Sequence, residues 1–162
     1  MTRTAASPLS LTDSILRTFD IDGRITAYLL EHLDPACWRA ATPDGKGRDI
    51  AAIAAHMHSV HCMWLKAAGS PTIPAALDKT TVTPAQATKA LAETAALLRT
   101  LIAQALAGDG RIKNFKPDVT AFAGYLISHN SHHRGQITML ARQTGHPVPK
   151  SAGFGLWEWG VR

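Results

Sequence analysis

Apolar residues recur every three or four positions in four long segments of this chain, and almost nothing alternates as a strand would. That spacing is typical of amphipathic helices that bury one face. We therefore expect an all-α fold, a four-helix bundle, with helices over about residues 10–33, 49–69, 83–108 and 117–144. The connection over residues 69–82 is long for a helix hairpin, so the second and third helices are not expected to be simple antiparallel neighbours.

Local signals mark the helix ends. Thr83, Pro84 and Gln86 have the order of a capping box with proline at the first helical position. Asp49 suits the positive N-terminal end of the second helix, and Gly69 suits its C-terminal cap. Gly23 is the weak point of the first helix.

The composition favours one soluble globular domain over residues 1–162, with 46% hydrophobic and 18% charged residues. No run approaches the ~20 apolar residues of a membrane span, and the N-terminus reads as a short flexible lead-in rather than a signal peptide. Cys37 and Cys62 form no metal-binding or disulfide pattern and are expected to be small, buried or half-buried thiols. We expect a cytoplasmic protein with no membrane partner.

The formal charge of +5 is spread along the chain. Its densest groups lie in expected loops: Lys46 with Arg48, and Arg111 with Lys113 and Lys116. We interpret them as a solvated surface, because a nucleic-acid partner would favour a basic recognition helix.

The histidines in the second and fourth helices can be placed by helix geometry, which turns ~100° per residue. His129 and His133 fall in the middle of the apolar stripe of the fourth helix, with Phe122, Leu126 and Leu140. On the second helix His56 shares the apolar stripe, His61 is a second choice, and His58 belongs on the outer face. Cys62 points away from His56 and is a poor candidate for the same cation.

His56, His129 and His133 together offer three imidazole nitrogens and no obvious fourth ligand. A divalent ion in such a set keeps an open position for water or substrate, and zinc or nickel suits it best. The competing interpretation is a group of core histidines satisfied by hydrogen bonds to one another and to the backbone. The helical wheel alone leaves both open.

Two segments carry a resemblance to a known family. IAAHMHSVHCMWL, residues 53–65, and HNSHHRGQITML, residues 129–140, resemble the hallmark segments of the DinB/YfiT-like superfamily of bacterial four-helix bundles. The resemblance implies a cytoplasmic, often homodimeric, metal-dependent enzyme. Position by position it implies His56, His129 and His133 as the ligands. The extra histidines at 58 and 61 and the tryptophan-rich tail depart from the usual pattern.

The residues around the two later histidines have expected roles. Gln136 lies on the ligand face and is expected to hydrogen-bond a ligating imidazole. Gly135 is expected to let a neighbouring helix approach, and Arg134 to pair with an acidic residue elsewhere. His132 is either part of this supporting shell or a boundary residue.

The expected reaction is transfer of a low-molecular-weight thiol to a small electrophile, because the resemblance extends to thiol transferases of this fold. Trp64, Tyr125 and the tail aromatics, including Trp157, are expected to line the pocket. The tail has two further interpretations, a lid over one end of the bundle and a dimer contact. The segment H-E-x-x-H of metalloproteases and the G-x-S-x-G of hydrolases are absent.

Three other functions stay open. Metal-assisted hydrolysis is one. The second is a non-catalytic metal- or ligand-binding bundle of a stress or damage response, including one that contacts DNA. The third is a purely structural bundle, in which the three histidines tolerate apolar replacement.

Overall fold

The computed structural model describes residues 9–161 and is all-helical over that range, with one isolated β-bridge between Arg111 and Asp118. The expected flexible lead-in falls mainly on residues 1–8, outside the described residues. The elements are α1 (Leu11–Glu31), a short 3-10 helix (Pro35–Cys37), α2 (Ile50–Ala68), α3 (Pro84–Ala107), α4 (Val119–Gln143) and α5 (Lys150–Gly155). The predicted all-α class is confirmed.

The helix ends follow the local signals. The Ser10, Asp49 and Asp118 side chains each accept a hydrogen bond from a backbone N–H in the first turn of their helix, and Thr83 and Gln86 form the complete capping box. Gly69 ends α2 with a left-handed φ of 81°, which favours glycine. Gly23 does not interrupt α1; it lies opposite Ala95 of α3.

The four long helices pack with α2 and α3 parallel to each other. His61 of α2 contacts Thr94 of α3, and farther along both helices Leu65 lies in one core cluster with Leu98 and Ile102. The helices α1 and α4 run together in the opposite direction. The connection between Gly69 and Val82 therefore returns along the bundle, which explains its length and confirms that α2 and α3 are not a simple hairpin.

The core has two parts, one at each end of the bundle. One cluster includes Leu29, Ile53, Met57, Leu91 and Ile137; the other includes Phe19, Leu65, Leu98, Phe122 and Leu126. Each cluster draws side chains from all four long helices. The histidine-rich turns of α2 and α4 lie between the two clusters.

The tail packs against the first cluster through Leu156, and Ala152 and Gly155 of α5 are buried. It thus covers one end of the bundle, as its lid interpretation predicts. Phe154 and Trp157 nevertheless stay 73% and 81% exposed. Cys37 is buried, Cys62 is half-buried, and both are free thiols as expected.

One described helix, α3, is long and apolar enough to cross a membrane, with a mean hydropathy of 1.3 in its most apolar window. The expectation concerned uninterrupted apolar runs, and α3 is interrupted by Lys89, Glu93 and Arg99. Alanine accounts for much of the hydropathy, and the helix packs into the bundle through Leu91, Thr94, Leu98 and Ile102. A core helix of a bundle meets the same criterion.

Candidate metal site

Three histidines from two helices meet at the interface between α2 and α4, which we call the α2–α4 seam. One ring nitrogen from each of His56, His129 and His133 lies within 4.8 Å of the other two. His133 is buried, and the other two are partly exposed. The three residues selected by helix geometry are therefore brought together, with a route to solvent.

Gln136 fixes the orientation of one imidazole. Its side-chain oxygen Oε1 lies 2.7 Å from Nδ1 of His133, and since that oxygen can only accept, Nδ1 donates. This leaves Nε2 of His133 as an acceptor, and it lies 3.1 Å from Nε2 of His129, within hydrogen-bond distance. The contact expected for Gln136 is present, and it is the arrangement that normally supports a metal-ligating histidine.

Two buried atoms at this seam lack partners. Among the described residues, only Nδ1 of His129 and Nε1 of Trp64 are buried side-chain nitrogens or oxygens with no hydrogen-bond partner. Leaving such a group unsatisfied costs ~1 to 3 kcal/mol. A bound water or a ligand can supply the missing partner of each atom.

All three imidazoles are held in the neutral form that binds metal. Burial is the largest cause in each case. It lowers the pKa of His56 and of His129 below the usual value, and it lowers the pKa of His133 to about 4. Arg48 lowers the pKa of His56 further. Three neutral imidazoles can each offer a lone pair to one divalent cation. They satisfy one another less well, because a hydrogen bond between His129 and His133 uses only one proton.

An aromatic cluster lies next along the seam. The ring of Trp64 packs edge-on against those of Phe115, Phe122 and Tyr125 at centroid distances of 5.4 to 5.7 Å. Tyr125 stacks on His129 at 6.3 Å. Tyr125 therefore contacts the ring of His129, and Trp64 lies behind Tyr125. Trp157 lies on the tail and is 81% exposed. That Trp64, Tyr125 and Trp157 line a substrate pocket stays a prediction.

The remaining histidines of α2 are buried for other reasons. His58, expected on the outer face, is fully buried. It contacts Cys62 Sγ at 3.7 to 3.8 Å and lines a groove with Pro74 and Leu77, so the returning 69–82 connection covers it. The prediction for His58 is wrong because the wheel of one helix contains no information about a distant loop.

His61 and Arg134 belong to a polar network through the bundle interior. The Arg134 guanidinium pairs with the Asp22 carboxylate, and the Asn130 amide donates to the same carboxylate at 2.7 Å. The other end of Asn130, Oδ1, lies 3.3 Å from Nε2 of His61, whose Nδ1 lies 2.9 Å from the Thr94 hydroxyl. The predicted acidic partner of Arg134 is present; the network itself was not foreseen.

This network links all four long helices next to the candidate metal ligands. Asn130 and Arg134 each follow a candidate ligand, His129 and His133, by one position on α4. Their partners on α1 and α2 restrict the rotation of α4, and so the direction in which both ligands point. Asp22 is only 2% exposed, and its burial raises the pKa of the carboxyl although Arg134 opposes this.

Two smaller expectations can be compared with the geometry. A Cβ placed on Gly135 would have no described neighbour within 4 Å, so this glycine does not mediate a close helix approach, and that prediction is wrong. The His132 ring is exposed and touches the His133 ring at a centroid distance of 5.0 Å. It is a boundary residue in contact with a candidate ligand.

Comparison with protein families agrees with the geometry. The profile of the DinB superfamily matches residues 18–137, which include His56, His129 and His133, and that of the DinB family matches residues 118–159. Neither the curated proteins nor the solved structures include a match. Because the superfamily match spans most of the chain and includes the whole histidine cluster, the protein belongs to the DinB superfamily.

Proposed function

We propose that the protein is a metal-dependent enzyme that transfers a small thiol to an electrophilic carbon. The observation that carries the proposal is the convergence of three neutral imidazole nitrogens within 4.8 Å on a half-open seam. The membership in a metal-associated superfamily supports it. We also propose a cytoplasmic setting, in keeping with two free cysteines.

His56, His129 and His133 would hold the cation, with zinc or nickel the best fit to three nitrogens. A divalent ion that keeps its full charge among neutral ligands stabilises a thiol in its deprotonated, nucleophilic form at neutral pH. Gln136 holds His133 in the tautomer whose Nε2 is an acceptor. The partly exposed His56 and His129 leave room for a small molecule.

The aromatic cluster would bind the electrophile. Tyr125 and Trp64 offer an apolar wall next to His129. In the transfer the thiol proton passes to solvent. The sulfur then donates an electron pair to the carbon as the S–C bond forms, and the leaving group departs with the electrons of its bond.

The first experiment is the metal content of untagged protein. We expect near one equivalent of zinc, nickel or a similar ion in the wild type, and loss of that ion in His56→Ala, His129→Ala and His133→Ala. His32→Ala is the matched control, because His32 is an exposed histidine at the C-cap of α1. A wild type that neither contains metal nor takes up added metal would refute the proposal.

Activity is tested second, with metal-loaded protein, a set of thiols and a chromogenic aryl halide. We expect turnover that depends on both metal and thiol. One bound metal without any turnover would instead favour a non-catalytic metal-binding bundle.

A further inference from the structure

A second groove opens on the α2–α4 seam, on the side of the histidines away from the aromatic cluster. Its volume is about 700 Å³, and its floor includes Ile53 of α2 and Gln136, Met139 and Leu140 of α4. Ile53 precedes His56 by about one turn, and Gln136 is hydrogen-bonded to His133. The groove therefore begins one helical turn from the proposed metal.

The loop over residues 42–48 forms the rim of this groove and has a defined shape. The Thr42 hydroxyl donates to the Lys46 carbonyl at 2.6 Å, and the Asp44 carboxylate accepts from the Lys46 backbone N–H at 3.1 Å. Gly45 and Gly47 have left-handed φ values of 67° and 85°. These turns place the side chains of Lys46 and Arg48 on the same rim.

Both cations of the rim are available to a ligand. Neither the Lys46 ammonium nor the Arg48 guanidinium has a hydrogen bond or ion pair with another described residue, whereas Arg39 nearby is paired with Asp49 at 3.8 Å. Asp44 is the one acidic residue that lines the groove, so the rim keeps a net positive charge. Arg48 is also close enough to act electrostatically on His56.

We infer that this groove binds an acidic group, a carboxylate, of the substrate whose reactive sulfur lies at the three histidines. The α2–α4 seam then binds the two substrates on either side of the histidines. The carboxylate of the thiol lies at Lys46 and Arg48, and the apolar electrophile lies at Trp64 and Tyr125. The inference rests on the proposed function for the identity of the sulfur end. The assignment of the carboxylate end depends only on the groove and its charge.

The carboxylate end is tested without metal or turnover. Succinate, with neutral succinamide as its matched probe, is titrated into ¹⁵N-labelled full-length protein and followed by amide chemical shifts. We expect succinate alone to shift residues 42–48 and Gln136, and Lys46→Gln/Arg48→Gln to abolish the response. Lys113→Gln/Lys116→Gln, in the other basic loop, serves as the control and retains it.

The sulfur end is tested on protein loaded with Co²⁺, in which a bound thiolate produces a charge-transfer absorption band. We expect 3-mercaptopropionate to bind roughly tenfold more tightly than 2-mercaptoethanol, because its carboxylate is attracted by two partly screened cations. Lys46→Gln/Arg48→Gln should remove this difference. The affinities of the two thiols are compared within each variant, because Arg48 also acts electrostatically on His56.

The outcomes separate the two claims. Equal affinities for the two thiols, or succinate shifts that are absent or spread over both basic loops, would overturn the carboxylate groove while leaving thiol binding intact. Shifts at residues 42–48 with no absorption band for either thiol would support the groove and refute the thiol chemistry.

Discussion

At the scale of single residues, position on a helix was enough to select the candidate ligands. His56, His129 and His133 lie on apolar stripes, and the constant turn of the α-helix fixes that property locally. His58 could not be placed in this way, because the 69–82 connection covers what would otherwise be an outer face. The place of Trp157 in the pocket stays a prediction for a similar reason: the direction of the tail depends on where it packs.

Gln136 provides the sharpest test at this scale. Gln136→Leu removes the acceptor of the His133 Nδ1–H, so we expect metal affinity to fall by about 10- to 100-fold while the free energy of unfolding changes little. Competition with a chromophoric chelator measures the affinity. The control is Gln104→Leu, at an exposed position of α3, which should bind metal as the wild type does. Equal affinities in both variants would contradict the role of Gln136.

At the scale of helices and connections, the helix ends could be predicted from the sequence, whereas the contacts between helices could not. A cap such as Thr83 with Gln86 is complete within four residues. The network of Asp22, Asn130, His61 and Thr94 depends instead on how four helices are rotated against one another. In the sequence of α1, nothing distinguishes Asp22 from a solvent-exposed aspartate.

Two aspartates of α1 test what burial contributes. Asp22→Ala leaves Arg134 and Asn130 without their partner in the interior, so we expect a loss of roughly 3 to 5 kcal/mol in the free energy of unfolding. Asp20→Ala breaks a partly exposed pair with Arg99 and should cost about 1 kcal/mol or less. Urea denaturation measures both. Similar losses would mean that the buried pair has no special structural role.

At the scale of the whole molecule, the buried histidines make the metal-free protein sensitive to acid. Burial lowers the pKa of His61 from 6.5 to about 4, and lowers those of His56, His58, His129 and His133 as well. In the unfolded chain His61 therefore binds a proton below about pH 6.5, whereas in the native state it binds one only near pH 4. Stability must fall across that interval. The raised pKa of Asp22 acts in the opposite direction.

For His61 alone we expect a loss of about 2 kcal/mol between pH 6.5 and pH 5. Urea unfolding of chelator-treated protein at the two values measures it. His61→Gln should show a smaller dependence on pH than the wild type. A stability that stays constant or rises on acidification would disprove the assignment of His61 as a buried neutral group.

The expected homodimer can be tested at the exposed tail. We propose that Phe154 and Trp157 form part of the contact, since their side chains are 73% and 81% exposed. Phe154→Ala/Trp157→Ala should then convert a dimer into a monomer in light scattering, with helix content unchanged. A wild type that is monomeric, or a variant that stays dimeric, would exclude this contact.

The parallel course of α2 and α3 has a consequence for how the site is assembled during synthesis. A growing chain that has completed α2 holds a single candidate ligand, and the whole of α3 must follow before α4 supplies the other two. Since three converging nitrogens are what distinguish this site from any exposed histidine, a nascent chain cannot yet retain an ion firmly. All three nitrogens can therefore hold an ion at this site only after α4 has been translated.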